Sequence, residues 1–277
     1  MASRLHLIRD VLRGLPAVSP LSVALALRKP RSLPVFHADV LRAFATGAES
    51  RLRHAMAPEL LGATGPASIR VGEHGIYPHK EADYPLLEVC ALLRPERVFE
   101  IGTSTGRRTA LLAMNVPEGA KIFTLDLPPD AALPEHASDL HLIAASKSEL
   151  GLHFRDTAWN GKTVFQLHGD SKTFDYTPYA NGIDLAIVDG SHTYEYASSD
   201  SYAAFGMIRA GGVILWHDYE SARTEYGVSR FIHALGERHG LPVRRLGSRA
   251  GDNRYAALRV DAASLEALRA IGRSRSV

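Results

Sequence analysis

From about residue 81 onward, the apolar positions of the chain form short continuous runs that alternate with stretches of helical period. Five such runs follow one another, at residues 97–101, 121–126, 163–168, 183–188 and 212–216. Strands that are apolar on both faces are typical of a parallel sheet covered by helices on both sides. The pattern therefore predicts an α/β fold with a doubly wound, mostly parallel sheet.

The stretches before, between and after these runs predict helices over about 81–93, 105–114, 137–158, 193–209 and 228–239. Two further apolar runs, Val243–Leu246 and Arg254–Val260, are separated by a short loop rich in Gly and Asn. This spacing predicts an antiparallel hairpin at the edge of the sheet. The predicted sheet thus has seven strands, the last of them reversed.

The first 80 residues carry a weaker pattern. Leu5, Ile8 and Leu12 share a helical face that is surrounded by arginines, and a second helical pattern runs from about 38 to 61. The first helix could pack on its own domain or contact a membrane or partner, and we favour packing. Residues 62–79 are rich in Gly and Pro and predict a connection.

A glycine-containing turn follows the first apolar run, with a predicted helix starting at about Thr105. Its free backbone N–H groups and the positive helix end favour binding of a polar or anionic group. Asp126 ends the next run, twenty positions after Gly106. An acid at the tip of the second strand can accept both hydroxyls of a ribose. The pair predicts a cofactor that contains a nucleoside.

The glycine spacing decides which cofactor this is. A dinucleotide turn reads G-x-G-x-x-G, whereas this chain has E-x-G-x-x-x-G from Glu100 to Gly106, with Ser104 in place of the middle glycine. The charge of Glu100 would repel phosphates and attract an ammonium or sulfonium group. The motif resembles that of the class I S-adenosylmethionine-dependent methyltransferases, whose fold is Rossmann-like with a reversed last strand.

This resemblance implies that S-adenosylmethionine is the cofactor. The cofactor-binding residues it implies are Glu100, Gly102, Thr103, Ser104, Gly106 and Asp126, and Asp170 and Ser171 near the adenine. For Asp170, a contact that only stabilises its own turn is an equal alternative.

Two further acids follow neighbouring strands. Asp189 comes after the run 183–188, and Asp218 follows the run 212–216. Adjacent strands lie ~4.8 Å apart, so the two carboxylates would repel each other unless a proton or a cation lay between them. Oxygen ligands at one point suit Mg²⁺ or Mn²⁺, and His217 could be a third ligand or could support one.

The same segments resemble those of the metal-dependent O-methyltransferases that act on macrolide sugars and of the related cephalosporin-hydroxylase-like proteins. In that group one acid after the fourth strand and two consecutive acids after the fifth strand hold Mg²⁺. The resemblance therefore implies a metal site of Asp189, His217 and Asp218. His217 stands in place of the middle acid, which shifts the preference toward Mn²⁺, Fe²⁺ or Zn²⁺.

His192 lies three residues after Asp189, where the sugar methyltransferases place their general base. A neutral alcohol is a poor nucleophile, and histidine titrates near neutral pH, so it suits the removal of the hydroxyl proton. We assign His192 and Asp189 as catalytic residues on this resemblance. The alternative is a histidine that caps the helix predicted over 193–209.

Composition excludes several classes of protein. The 277 residues carry 32 Lys and Arg against 30 Asp and Glu, a net charge of +2, which implies no strong attraction to nucleic acid. The single cysteine, Cys90, excludes an internal disulfide framework and a cysteine-rich metal site. No apolar stretch reaches the length of a membrane span. We therefore expect a cytoplasmic protein.

We thus predict three regions: a helical N-terminal extension over 1–80 that acts as a lid, a methyltransferase domain over 81–262, and a C-terminal helix or tail over 263–277. The predicted function is methylation of a hydroxyl on a small-molecule acceptor, a sugar or secondary metabolite, with N-methylation left open. The resemblance also implies a homo-oligomer. The alternatives are a nucleotide-dependent oxidoreductase and a non-catalytic protein that binds an adenosyl cofactor.

Overall fold

A computed structural model of the protein describes residues 52–78, 83–131, 148–219, 227–247 and 255–274. The helical patterns over residues 5–12 and 38–51 lie outside these ranges, as do residues 137–147 of the third predicted helix. Residues 148–159, which complete that predicted helix, are described and form turns. They leave the helix because Gly151 takes a left-handed backbone, with φ of 65°, and its N–H donates to Ser104 O at 3.0 Å.

The described residues form one sheet of eight strands. These are β1 His54–Ala55, β2 Arg97–Ile101, β3 Lys121–Asp126, β4 Val164–His168, β5 Ile183–Val188, β6 Ile208–Trp216, β7 Arg244–Leu246 and β8 Ala256–Arg259. Their order across the sheet is β1-β7-β8-β6-β5-β2-β3-β4. Strand β8 is antiparallel to both of its neighbours, and all other neighbouring pairs are parallel. The doubly wound, mostly parallel sheet with a reversed last strand is therefore confirmed, and β1 adds an eighth strand to the seven predicted.

Helices cover both faces of this sheet. They are α1 Ala57–Leu61, α2 Tyr84–Leu93, α3 Arg107–Asn115, α4 Tyr194–Met207, α5 Gly227–His239 and α6 Ala262–Ser274. One apolar layer joins α2 and α3 to the sheet through side chains such as Leu86 and Leu111. The other joins α4, α5 and α6 through Phe205, Phe231 and Leu268. Because parallel strands are buried on both faces, the ligand sites lie at the ends of the strands.

The strand order corrects the prediction at one edge. The helix expected over 38–61 does not continue through His54 and Ala55, which pair in parallel with Arg245 and Leu246 of β7. A continuous helix is disfavoured there because Pro58 lacks the N–H that a helix interior requires, so α1 begins only at Ala57. The hairpin of β7 and β8 therefore does not form the sheet edge, since β1 lies outside it.

The structure bears on two predictions made from composition, one about membrane spans and one about Cys90. Among the described ranges, no helix combines the length and the apolar character that crossing a bilayer requires. Cys90 is a free, buried thiol in α2, and burial raises its pKa to about 12. At neutral pH this cysteine is therefore protonated and unreactive.

Candidate active site

The turn after β2, residues 102–106, is held against both neighbouring strands, and we call it the cofactor turn. Gly102 has a φ of 101°, and its N–H donates to Leu125 O of β3 at 2.8 Å. On the other side, Asp189 N–H donates to Ile101 O at 2.9 Å. A Cβ added at Gly102 would overlap the carbonyl oxygen of Asp189. Only glycine fits this position, because both the backbone conformation and the space exclude a side chain.

Helix α3 begins at Arg107 and not at Thr105 as predicted, because the cofactor turn continues in a left-handed conformation. Ser104 has a φ of 50° and Gly106, the N-cap, a φ of 74°. The segment after residue 148 closes over this turn, since His153 N–H donates to Thr105 O at 3.0 Å. The turn thus has little freedom to change shape.

Asp126 lies at the tip of β3 beside the cofactor turn, as predicted. Its Oδ2 accepts a hydrogen bond from Ser104 N–H and its Oδ1 one from Leu127 N–H, both at 2.8 Å. Burial raises the pKa of Asp126, and these backbone N–H groups offset part of that rise. Each carboxylate oxygen keeps a second lone pair, so the group can also accept ribose hydroxyls.

Glu100 and Thr103 are buried within the domain beneath the turn. Oε2 of Glu100 accepts hydrogen bonds from Thr109 Oγ1 at 2.6 Å and from Thr124 Oγ1 at 2.7 Å, and burial raises the pKa of this carboxyl. Thr103 Oγ1 lies 2.7 Å from Thr124 Oγ1 and accepts from Gln166 Nε2 at 3.1 Å. In this structure Glu100 therefore joins β2, β3 and α3 and supports the turn from inside.

The residues predicted near the adenine lie in the loop after β4. Asp170 Oδ1 accepts from Lys172 N–H at 2.9 Å, and Oδ2 accepts from the Tyr196 hydroxyl at 3.2 Å. The carbonyl of Ser171 accepts from the Tyr176 hydroxyl at 3.0 Å. The turn-stabilising contact of Asp170, the alternative from the sequence, is thus present. A contact with adenine stays a prediction.

Asp200, on α4, was not identified from the sequence. It is fully buried, and neither carboxylate oxygen has a hydrogen-bond partner among the described residues. Its Oδ2 would lie 2.8 Å from a Cβ added at Gly190, just after Asp189. Burial raises the pKa of Asp200 to about 7. Asp200 shares a helix face with Ala197 and Ala204, and this spacing in the sequence indicates its burial.

Four predicted residues meet past the ends of β5 and β6, and we call them the acid–histidine cluster: Asp189, His192, His217 and Asp218. His192 Nε2 lies 2.8 Å from Asp218 Oδ2. His217 Nδ1 lies 2.9 Å from Asp189 Oδ1 and 3.1 Å from Asp218 Oδ2. The parallel pairing of Val188 with Trp216 brings the ends of the two strands to the same level.

Two roles were considered for His192, a general base and a cap of the helix that follows it, and its contacts distinguish them. The N-cap of α4 is Thr193, whose Oγ1 accepts from Tyr196 N–H at 3.3 Å. Asp218, the partner of His192, has a left-handed backbone with a φ of 56°, a conformation that Asp tolerates better than most residues. Thr193 thus caps the helix, and the imidazole of His192 pairs with a carboxylate.

The electrostatics of the cluster fix two charge states. Burial alone would raise the pKa of Asp218, but His217 and His192 outweigh this effect and hold it well below its ordinary value. Burial, together with nearby Arg108, lowers the pKa of His217 to about 4. At neutral pH the carboxyl of Asp218 is therefore ionised and the imidazole of His217 is uncharged.

Arg108 also contacts the cluster, although the sequence analysis did not select it. Its Nη1 forms an ion pair with Asp189 Oδ2, and its Nε lies 3.7 Å from Oδ1 of buried Asp83. The neighbouring Arg107 also pairs with Asp83. The sequence does indicate such a contact, because two arginines at the start of a helix are disfavoured by the helix dipole and require acidic partners.

The cluster has the donors that a divalent cation needs. One ligand atom each from Asp189, His192 and Asp218 lie within 4.8 Å of one another. Beside them, the buried hydroxyl of Tyr255 has no hydrogen-bond partner among the described residues. An imidazole beside carboxylate oxygens shifts the preference from Mg²⁺ toward Mn²⁺, Fe²⁺ or Zn²⁺. This set shares both carboxylates with the predicted metal site and differs in its histidine.

Comparison with known proteins gives a family for the central part of the chain. Residues 99–219 match a family described as a methyltransferase domain. No curated protein matches the chain.

Solved structures similar to this chain include three methyltransferases. The O-methyltransferase TomG from Streptomyces achromogenes, in complex with SAM, is 21% identical, with 63% of this chain and 78% of that chain covered and a TM-score of 0.40. The SAH-bound methyltransferase PaMTH1 from Podospora anserina is 18% identical, with 64% and 76% covered and a TM-score of 0.45. An O-methyltransferase from Bacillus cereus, in complex with SAH, is 17% identical, with 66% and 84% covered and a TM-score of 0.42.

The matched residues run from β2 to the end of β6 and contain the cofactor turn and the whole acid–histidine cluster. The strand order, with its reversed β8, is that expected of the class I fold. The central part of the chain therefore resembles a methyltransferase domain, and its sheet has the Rossmann-like order of that fold.

Proposed function

We propose that the protein is an O-methyltransferase that transfers a methyl group from S-adenosylmethionine to a hydroxyl of a small molecule, a sugar or secondary metabolite. The observation that carries this proposal is the 2.8 Å contact of His192 Nε2 with Asp218 Oδ2. An imidazole that pairs with an ionised carboxylate is a general base whose protonated form is stabilised. Alcohols need such a base, since their oxygen must lose a proton as it attacks.

Each part of the site has a separate task in this reaction. Bound S-adenosylmethionine supplies a methyl group that is already activated on a sulfonium. The cofactor turn and Asp126 hold the adenosine, with Asp126 as acceptor for the ribose hydroxyls. His192 takes the acceptor proton, and Asp218 stabilises the imidazolium that results. Much of the rate enhancement then comes from positioning, because the reaction partners are held in line.

A divalent cation would be held by Asp189, Asp218 and one histidine. We assign this histidine as His217, because its Nδ1 lies near both carboxylates, 2.9 Å from Asp189 Oδ1 and 3.1 Å from Asp218 Oδ2. His192 then acts on the proton of the acceptor through its other ring nitrogen, Nδ1, because Nε2 is the atom that pairs with Asp218. Such a cation would make the acceptor hydroxyl more acidic and would assist the same base.

Calorimetry with S-adenosylmethionine tests the cofactor part of the proposal. Wild type and Asp218→Ala are titrated with and without a chelator, and both should bind the cofactor, because Asp218 lies outside the cofactor turn. The absence of binding heat for wild type under both conditions would remove the proposal.

His192→Ala tests the base. Formation of S-adenosylhomocysteine is measured over a panel of sugar and phenolic alcohols, and the rate should fall by about 10²- to 10⁴-fold while cofactor affinity stays unchanged. The control is His54→Gln, which changes an exposed histidine on the edge strand β1. Equal turnover of His192→Ala and wild type would contradict the role of His192.

A further inference from the structure

The arginine pair at the start of α3 has an unfavourable location. The N-terminal end of a helix carries a partial positive charge and disfavours cations. Arg108 is also largely buried, with 21% of its side chain exposed. Such a guanidinium is stable only where carboxylates surround it, and Asp189 and Asp83 provide them.

Asp189 is also the carboxylate that the acid–histidine cluster would offer to a cation. Its Oδ2 forms an ion pair with the guanidinium of Arg108, and its Oδ1 lies 2.9 Å from His217 Nδ1. A guanidinium at this place neutralises Asp189 and repels a divalent cation at short range. Arg108 and a divalent cation therefore compete for one carboxylate.

The surroundings provide a second place for the guanidinium. Asp83 is 2% exposed, and its Oδ1 lies 3.7 Å from Arg108 Nε. Arg108 can therefore release Asp189 and remain beside a carboxylate. Moving the Arg108 guanidinium from Asp189 toward Asp83 costs less free energy than moving a buried charge away from every partner.

We propose that Arg108 is a positioning residue that sets the cation affinity of the acid–histidine cluster, by holding Asp189 when no divalent cation is bound and moving toward Asp83 when one binds. This inference rests on the proposed function, because it assigns the cluster a cation during catalysis. It identifies Arg108 as the internal substitute for that cation.

Binding of Mn²⁺ to the full-length protein, followed by the electron paramagnetic resonance signal of the free ion, tests the proposal without cofactor or turnover. Arg108→Ala should bind Mn²⁺ about tenfold or more tightly than wild type, because it uncovers Asp189. The matched control is Arg107→Ala, which removes the same charge from the same helical turn. Among the described residues, Arg107 pairs with Asp83 and not with Asp189, so Arg108 still covers Asp189 in Arg107→Ala, and the gain in Mn²⁺ affinity should be much smaller than in Arg108→Ala.

Two further variants keep the result interpretable. Arg108→Gln removes the charge with less change of shape, so it should show the same gain if Arg108→Ala is poorly folded. Adding Asp189→Asn to either variant should abolish the gain. Equal Mn²⁺ affinity in wild type and both Arg108 variants, an equal gain in Arg107→Ala, or no Mn²⁺ binding by any variant would overturn the proposal. Calorimetry with S-adenosylmethionine on the same samples tests the methyltransferase function separately.

Discussion

The cofactor turn and the acid–histidine cluster lie at the ends of neighbouring strands, yet they are stabilised in different ways. Backbone hydrogen bonds and close packing fix the turn, with Gly102 between Leu125 and Asp189. The cluster is held by ionisable side chains, in which Asp189 contacts both His217 and Arg108. A backbone hydrogen bond has one geometry, whereas a carboxylate can exchange one cation for another.

This difference suits the two partners of the proposed reaction. The adenosine of the cofactor is the same in every turnover, so a rigid, preformed site binds it at the lowest entropic cost. The acceptor must lose a proton, and a set of side chains with adjustable charge can accommodate that change. Substitutions in the turn should therefore reduce stability and cofactor affinity, and those in the cluster should reduce rate.

The largest effect is expected for Gly102→Ala. The new methyl group would overlap the Asp189 carbonyl at a φ of 101°, so we expect unfolding by denaturant to show a loss of about 4 kcal/mol or more. The control is Gly62→Ala, at a φ of 65° with no atom within 4 Å of the added carbon. It should cost only about 1 kcal/mol, from backbone strain alone. Similar losses for the two variants would show that the turn is not tightly packed.

Asp218→Asn is expected to affect rate and little else. It removes the charge that stabilises protonated His192 and retains the size of the side chain, so methyl transfer should fall about 10²-fold or more. Affinity for S-adenosylmethionine, measured by calorimetry, should match that of wild type. Asp130→Asn, an exposed substitution, is the control. A weaker cofactor affinity in Asp218→Asn would mean that the two regions are not separate.

Asp126→Ala should weaken cofactor binding about tenfold to a hundredfold, because it removes the acceptor for the ribose and the acceptor of the Ser104 N–H. Calorimetry with S-adenosylmethionine and with S-adenosylhomocysteine should show the same loss for both ligands, since their ribose is identical. Unchanged affinity for both would place the ribose elsewhere. The rate at saturating cofactor should change much less than the affinity.

The smallest effect is expected for Asp200→Asn, which should alter how the free energy of unfolding depends on pH. An unfolded chain releases the Asp proton near about pH 4, whereas folded Asp200 keeps it up to about pH 7. The unfolded state thus binds fewer protons in this window, and the free energy of unfolding of wild type falls as pH rises through it. Asp200→Asn should lack this contribution, which is about 1.4 kcal/mol per pH unit.

Denaturant unfolding at several pH values between 4 and 7 measures this slope. Asp156→Asn is the control, because that carboxylate is 85% exposed and should leave the slope of wild type unchanged. A slope in Asp200→Asn equal to that of wild type would show that Asp200 is ionised in the fold at neutral pH.

The sequence predicts the strand ends well, because apolar runs stop where acids begin. Asp126, Asp189 and Asp218 could each be placed at the end of a strand, and parallel pairing brings such ends to one edge. The pairing of Arg108 with Asp189 could not be predicted in this way. It depends on how far α3 lies from β5 and on the reach of a long side chain, and neither leaves a pattern in the sequence.

The strand β1 and the buried Asp200 were also not predicted from the sequence, each for its own reason. A strand of two residues such as β1 is too short to show alternation, and a helical period ran across it. Asp200 is an acid on the apolar face of α4, and composition alone assigns acids to the solvent. In both places tertiary contacts override the local preference, as hydrogen bonding to β7 does for His54 and Ala55.

The pairing of β1 with β7 also bears on how the protein can be divided. A shortened version beginning at residue 81, where the regular alternation starts, would lack His54 and Ala55 and would leave the outer backbone groups of β7 without their partners. Exposed strand edges of this kind recruit strands from other molecules. A shortened version of the chain should therefore begin before Leu52, so that β1 still pairs with the edge of β7.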